Sequence, residues 1–177
     1  MITNNILGIV FANAHDALLK DMTKASSMAA VPFGGRYRLI DFALSNLSNG
    51  GVDKVGVITK SNYYSLMTHL GTGKPWDLDR KKGGLAILPP YASPDAQLYK
   101  GKLEAIYGIL EYLKESKEQY VVVLDSDIVA NVSLKKLVTY HTDKKADITI
   151  VTAFGKKPEG QKDMMHYTFA DDGRAHV

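Results

Sequence analysis

Three stretches of this chain carry residue types that could act on a charged ligand. The first is Asp125-Ser126-Asp127, which directly follows the apolar run Tyr120 to Leu124. Two carboxylates at the carboxyl end of a strand can hold Mg²⁺ against nucleotide phosphates, because hard cations take oxygen ligands. The plainer alternative is that they cap a turn or the next helix. The second stretch is Asn13-Ala14-His15-Asp16-Ala17-Leu18-Leu19, the loop after Ile6 to Ala12. A phosphate-cradling loop needs glycines, so that its backbone can reach positive φ and approach the phosphates with no Cβ in the way. This loop has none. It also sets Asp16 where an anion would be repelled and offers no Arg or Lys before Lys20, so on these grounds it reads as an ordinary connection. The third stretch is Val31-Pro32-Phe33-Gly34-Gly35-Arg36-Tyr37-Arg38-Leu39-Ile40-Asp41-Phe42-Ala43-Leu44-Ser45-Asn46. Gly34-Gly35 makes a tight turn, and Arg36 and Arg38 flank a tyrosine just before a helix. An anion there would meet two guanidinium groups and a helix N-terminus together. A solvated basic turn is the alternative.

The elements that must position these groups follow from hydrophobic spacing. Short apolar runs rich in β-branched residues at Ile6 to Ala12, Val55 to Thr59, Tyr120 to Leu124 and Ile148 to Phe154 read as buried strands. Helical spacing is seen in Leu39, Ile40, Phe42, Ala43, Leu44 and Leu47, ending at Gly50-Gly51, and again in Leu103, Ile106, Leu110 and Leu113. Ser133 is a suitable N-cap for a further helix through Leu134, Leu137, Val138 and His141. Strand then helix, repeated, predicts an α/β fold with a mostly parallel sheet and helices on both faces. The stretch Gly71 to Pro90 has no sustained period and reads as a long loop returning through a short strand at Leu85 to Leu88. Tyr167-Thr168-Phe169 before Asp171-Asp172-Gly173 reads as a strand entering a hairpin turn. The return strand has barely begun at Val177, which suggests a piece cut inside a domain.

Composition narrows the function classes. At 45% hydrophobic and 23% charged over 177 residues, the chain can bury one core. Its net charge is +3, but no basic run exceeds Arg80-Lys81-Lys82, which argues against a nucleic-acid partner. The absence of cysteine excludes disulfides, thiolate nucleophiles and zinc-thiolate sites. Ile6 to Ala12 is too short for a membrane helix and has no basic residue before it, so the expectation is a cytoplasmic protein. No G-x-G-x-x-G follows any strand, which disfavours a dinucleotide-dependent oxidoreductase.

The Val31 to Asn46 string, together with Gly73-Lys74-Pro75-Trp76-Asp77-Leu78, Tyr99-Lys100-Gly101 and Tyr120 to Asp127, closely resembles the ADP-glucose pyrophosphorylase (glucose-1-phosphate adenylyltransferase) family. The resemblance runs essentially from Ile6 to the end. It implies a Rossmann-like, GT-A-like nucleotidyltransferase fold, of which residues 1–177 would be the N-terminal part, without the sugar-phosphate half and the C-terminal left-handed β-helix. In catalytic members the first loop is similar to Gly-Gly-x-Gly-Thr-Arg-Leu, with an arginine on the ATP phosphates. Carried onto Asn13 to Leu19, all three glycines are replaced and the arginine position is Leu18. The family's Ala-Lys-Pro element falls on Ser27, Met28 and Ala29, so its lysine position is Met28. The Arg-Gly-Thr-Ala-Asp-Ala element is represented by Lys100 to Ala105, leaving Tyr99 and Gly101 as the nucleotide-binding candidates. The Gly-Asp-His pattern leaves Asp127 as the metal candidate, for Mg²⁺. By the same resemblance Arg38, with Arg36, would lie near an effector site, although the family's basic pair there is Ala25 and Ser26.

Nucleotidyl transfer is an in-line attack at the α-phosphorus of ATP with pyrophosphate leaving, and cationic groups must neutralise the charge that builds on oxygen. Losing one such clamp costs on the order of 10³ in rate. The resemblance therefore implies the degenerate, non-catalytic regulatory type of subunit in bacterial glycogen biosynthesis, paired with a catalytic subunit in a heterotetramer. The competing reading is an active enzyme making ADP-glucose from ATP and glucose 1-phosphate with Mg²⁺ on Asp127.

Overall fold

The computed structural model describes residues 5–90, 99–155, 167–170 and 175–176. The chain divides into two units, Met1–Lys145 and Ala146–Val177. The first contains a four-stranded sheet of β1 (Ile6–Phe11), β4 (Lys54–Ile58), β5 (Gly84–Leu88) and β6 (Tyr120–Asp125), ordered β5-β4-β1-β6. Every pairing in it is parallel. β1 is central and buried along its whole length, as a strand covered on both faces must be.

Alternation along β1 sorts the core into two layers. Ile6 and Val10 face a layer completed by Val55, Val57, α1 (Leu39–Asn49), α2 (Tyr64–Leu70) and α5 (Leu134–Lys144). Leu7, Ile9 and Phe11 face the opposite layer, with Ile58 of β4 and with Ala105 and Ile109 from the segment that holds α3 (Lys102–Gly108) and α4 (Leu110–Lys114). Gly8 lies between Ile6 and Val10 because α1 comes close there. A Cβ at this position would stand 2.8 Å from Leu47 Cδ1. Burying one Leu or Ile side chain contributes about 1.5–3 kcal/mol, so Leu44 and Leu47, both fully buried, hold much of the energy that docks α1.

Helix ends match the sequence cues. Gly50 donates to Asn46 O at 3.0 Å and Gly51 takes φ 81, so the pair stops α1. Ser133 caps α5 by accepting from Lys136 N. The spacing from Leu103 to Leu113, which predicts one helix, yields two, because the chain leaves helical geometry at Ile109 (φ −107, ψ 18). α2 was not predicted at all. β2 (Pro32–Phe33) and β3 (Tyr37–Arg38) form a small antiparallel hairpin. Its turn uses Gly34 and Gly35 at φ 60 and 77, conformations that cost a Cβ-bearing residue free energy.

In the second unit, β7 (Thr168–Phe169) pairs antiparallel with β8 (Ala175–His176), as the hairpin reading expected. Its turn, Asp171-Asp172-Gly173, lies outside the described residues. The strand expected at Ile148 to Phe154 is a correction: these residues form none, and Ile148, Val151 and Phe154 are exposed. A β-branched run becomes a strand only where a partner supplies ladder bonds and cross-strand contacts. Within its unit, the described strands β7 and β8 pair with each other.

Candidate functional site

Backbone bonds extend the ladder past the strands' carboxyl ends. Ala12 donates to Ile58 O at 3.0 Å, Thr59 to Leu88 O at 3.1 Å and Ser126 to Phe11 O at 3.0 Å. The loops that leave β1, β4 and β6 therefore start from one rigid rim. The sheet order turns about β1, with β4 on one side and β6 on the other. A crevice at such a switch point is where open α/β sheets bind ligands.

Two loops meet at that switch point. His15 Nδ1 lies 2.8 Å from Asp127 Oδ2, joining residues 112 positions apart. Asp125 stands beside them, and its Oδ2 accepts from Lys102 Nζ at 2.6 Å. The same lysine sits over the Phe11 ring, 5.7 Å from its centroid. Asp125 Oδ1 and Asp127 Oδ1 are both sealed from solvent and have no hydrogen-bond partner. Buried carboxylate oxygens are costly to leave unpaired, and a hard divalent cation is a natural acceptor of such donors. The residues therefore fit Mg²⁺ at the expected metal position, Asp127, with Asp125 as a second oxygen donor.

The loop after β1 is closed upon itself. It runs through a 3₁₀ segment, Asp16–Thr23, broken by Lys20 at φ 41. Asn13 accepts from Lys60 N at 2.8 Å and donates to Ser61 O at 3.1 Å, which ties the loop to the end of β4. Asp16 is the other fastener: Oδ1 accepts from Met28 N at 2.7 Å and Oδ2 from Asn13 Nδ2 at 2.6 Å. Thr23 Oγ1 donates to Asp16 O at 2.6 Å. Thus Asp16, expected only to repel an anion, takes the backbone N–H of Met28 for itself. Leu18 is 55% exposed and Met28 is buried, so neither of these two expected positions offers a cation.

The remaining sequence candidates lie as follows. Arg38 donates from Nη1 to Ser65 O at 3.0 Å and Ser65 Oγ at 2.7 Å, while its backbone N–H donates to Asp41 Oδ2 at 3.0 Å. Asp41 also meets His69 Nε2 at 2.6 Å. The Arg38 guanidinium is thus bonded to α2, and Arg36 is exposed beside the Tyr37 ring. Tyr99 packs against the layer of Leu7, Ile9 and Phe11. Gly101 has extended φ and open space at its Cα, and its carbonyl accepts from Ala105 N at the start of α3. Sequence reasoning missed His15 and Lys102 as neighbours of the aspartates. A polar side chain just beyond β1 was the available signal.

The parallel sheet with paired aspartates at its switch point is consistent with a nucleotidyltransferase-type domain. The chain belongs to the nucleotidyl transferase family, which matches residues 8–164. Its relatives include glucose-1-phosphate adenylyltransferases of Clostridium novyi (41% identical over 151 residues), Bacillus subtilis (42% over 145) and Thermotoga neapolitana (44% over 147). These alignments cover 85%, 81% and 82% of this chain but only 40%, 38% and 35% of the relatives. The chain thus spans well under half the length of the curated relatives it matches. Among the described residues, no helix is long and apolar enough to cross a membrane.

Proposed function

We propose that the chain is part of a non-catalytic regulatory relative of glucose-1-phosphate adenylyltransferase, acting in cytoplasmic glycogen biosynthesis by pairing with a catalytic subunit. The likeness to enzymes bearing that name supports the pathway. The loop between Asn13 and Met28 supports the loss of catalysis, and Asp16 is the observation that carries it. A triphosphate needs free backbone N–H groups and positive charge at the end of β1. Here the Met28 N–H is taken by a carboxylate, and the nearest loop side chains are Asn13, His15 and Asp16. Asp16 would oppose a polyanion there, and the Lys102 ammonium at this end of β1 is held by Asp125.

A non-catalytic subunit must act through assembly, and a heterotetramer with the catalytic chain is the proposed form. The test mixes the full-length protein with a catalytic glucose-1-phosphate adenylyltransferase subunit from the same cell. Co-elution with changed kinetics is the expected result. Separate elution with unchanged kinetics defeats the proposal, as does ADP-glucose formation by the full-length protein alone that Asp127→Ala abolishes.

A further inference from the structure

His15, Asp125 and Asp127 each present one ligand-type atom, and the three atoms lie within 4.8 Å of one another. Two features distinguish this group from a chance cluster of acids. One oxygen of each carboxylate, Oδ1, is sealed from water and takes no hydrogen bond. The third donor is a nitrogen: His15 Nδ1 already faces Asp127 Oδ2 at 2.8 Å. Imidazole combined with carboxylates is a donor set for zinc, cobalt or nickel, whereas Mg²⁺ takes oxygen ligands and keeps its waters.

We infer that His15, Asp125 and Asp127 form a site for a zinc-class transition-metal dication, loaded without nucleotide, that fastens the first loop to the end of β6. The inference goes beyond the regulatory reading and does not depend on it, because it concerns metal binding by the chain alone. A four-coordinate zinc with bonds near 2.0–2.2 Å sets its ligand atoms about 3.4 Å apart. The His15 to Asp127 distance is already shorter than that, and the widest separation must close by roughly 1.4 Å. His15 lies on the loop with its side chain 41% exposed, so it is the donor with room to move. Water would complete the coordination.

Lys102 is the built-in competitor. Its ammonium lies on Asp125 Oδ2 at 2.6 Å with the side chain 52% exposed, so it can swing to solvent when a dication arrives. Removing this charge should tighten metal binding.

The experiment uses the 177-residue chain, free of tags and stripped of metal, titrated calorimetrically with Zn²⁺ and separately with Mg²⁺ in the absence of nucleotide. The chain has no cysteine, so no thiolate competes for zinc. One equivalent of Zn²⁺ should bind about 100-fold or more tighter than Mg²⁺, and raise the melting temperature. His15→Gln should weaken zinc by about 30-fold or more while changing Mg²⁺ affinity less than about 3-fold. Lys102→Gln should tighten zinc, and His69→Gln, at a second His–Asp pair among the described residues, should leave it unchanged. Melting of the metal-free variants checks that they fold, and the cobalt d–d absorption of wild type, lost in His15→Gln, reports the nitrogen ligand directly. Equal affinity for zinc and magnesium overturns the inference, and so does zinc binding that survives His15→Gln within about 3-fold.

Discussion

Replacing Asp16 by alanine deletes the fastener of the first loop, and its cost can be worked from the bonds it makes. Two acceptors vanish, one for Met28 N at 2.7 Å and one for Asn13 Nδ2 at 2.6 Å. Asn13 keeps a second acceptor in Ser61 O, so that loss is largely made good. The Met28 N–H belongs to a buried residue and has no replacement in reach of bulk water. A hydrogen bond to a charged group contributes about 1.5–3 kcal/mol, and stranding a buried donor falls in the same range. The net expectation is a loss of about 2–3 kcal/mol. For a domain of this size that lowers the melting temperature by about 5–10 °C. Asp16→Asn, which keeps an oxygen at Oδ1, should lose about half as much. Thermal melts by circular dichroism measure the stability, and hydrogen exchange reads the Met28 amide, which should exchange faster in the alanine variant alone. A variant that melts within about 1 °C of wild type, with the Met28 amide still protected, would refute the account of the closed loop.

Two further outcomes follow from the backbone and the core. Gly84→Ala forces a Cβ to 2.5 Å from Leu78 O at φ +78, whereas Gly35→Ala at φ +77 meets nothing within 4 Å. The first should cost about 3 kcal/mol or more and the second about 1 kcal/mol; urea midpoints in the reverse order would contradict the contact geometry. Burial, assisted by the negative charge of Glu118, pushes the Tyr112 phenol up to about 12. Because the folded value lies above the unfolded one near 10, the stabilisation from the neutral phenol is complete below pH 10 and is lost as pH rises toward 12. Tyr112→Phe should abolish the latest step in a spectrophotometric tyrosine titration. It should also leave neutral-pH stability unchanged or slightly higher, since the Tyr112 hydroxyl is buried without a partner.

The parts of the fold readable in the sequence are those whose energy comes from their own pattern. β1, β4 and β6 are apolar runs of strand length, although β6, at the sheet edge, leaves Val121 and Val123 exposed where the sequence reading expected a buried strand, and α1 carries its stop signal in Gly50-Gly51. α2 escaped because seven residues make too few turns to show a period, although Leu66 and Leu70, four apart, are its buried pair. Ile148 to Phe154 misled for the opposite reason: the run has strand composition, but composition carries no information about whether a partner edge is present. At the candidate site, Asp127 was legible from its place after a strand. The fastening role of Asp16 was not, because a carboxylate's hydrogen bonds to residues 3 and 12 positions away depend on how the loop folds back. His15 meeting Asp127 depends on β1 and β6 being neighbours, and adjacency of strands separated by a hundred residues leaves no local trace.

Asn13 and Asp16 knit their loop to the end of β4 and to Met28, so that no single substitution opens it to an anion. An arginine in place of Leu18 alone would add a charge to a loop whose Leu18 N–H is held by His15 O and whose Met28 N–H is held by Asp16 Oδ1. A glycine in place of Asp16 would free the Met28 N–H but would first loosen the segment. A seat for an anion at the end of β1 would therefore take at least two substitutions together, one to free the Met28 amide and one to bring a positive charge.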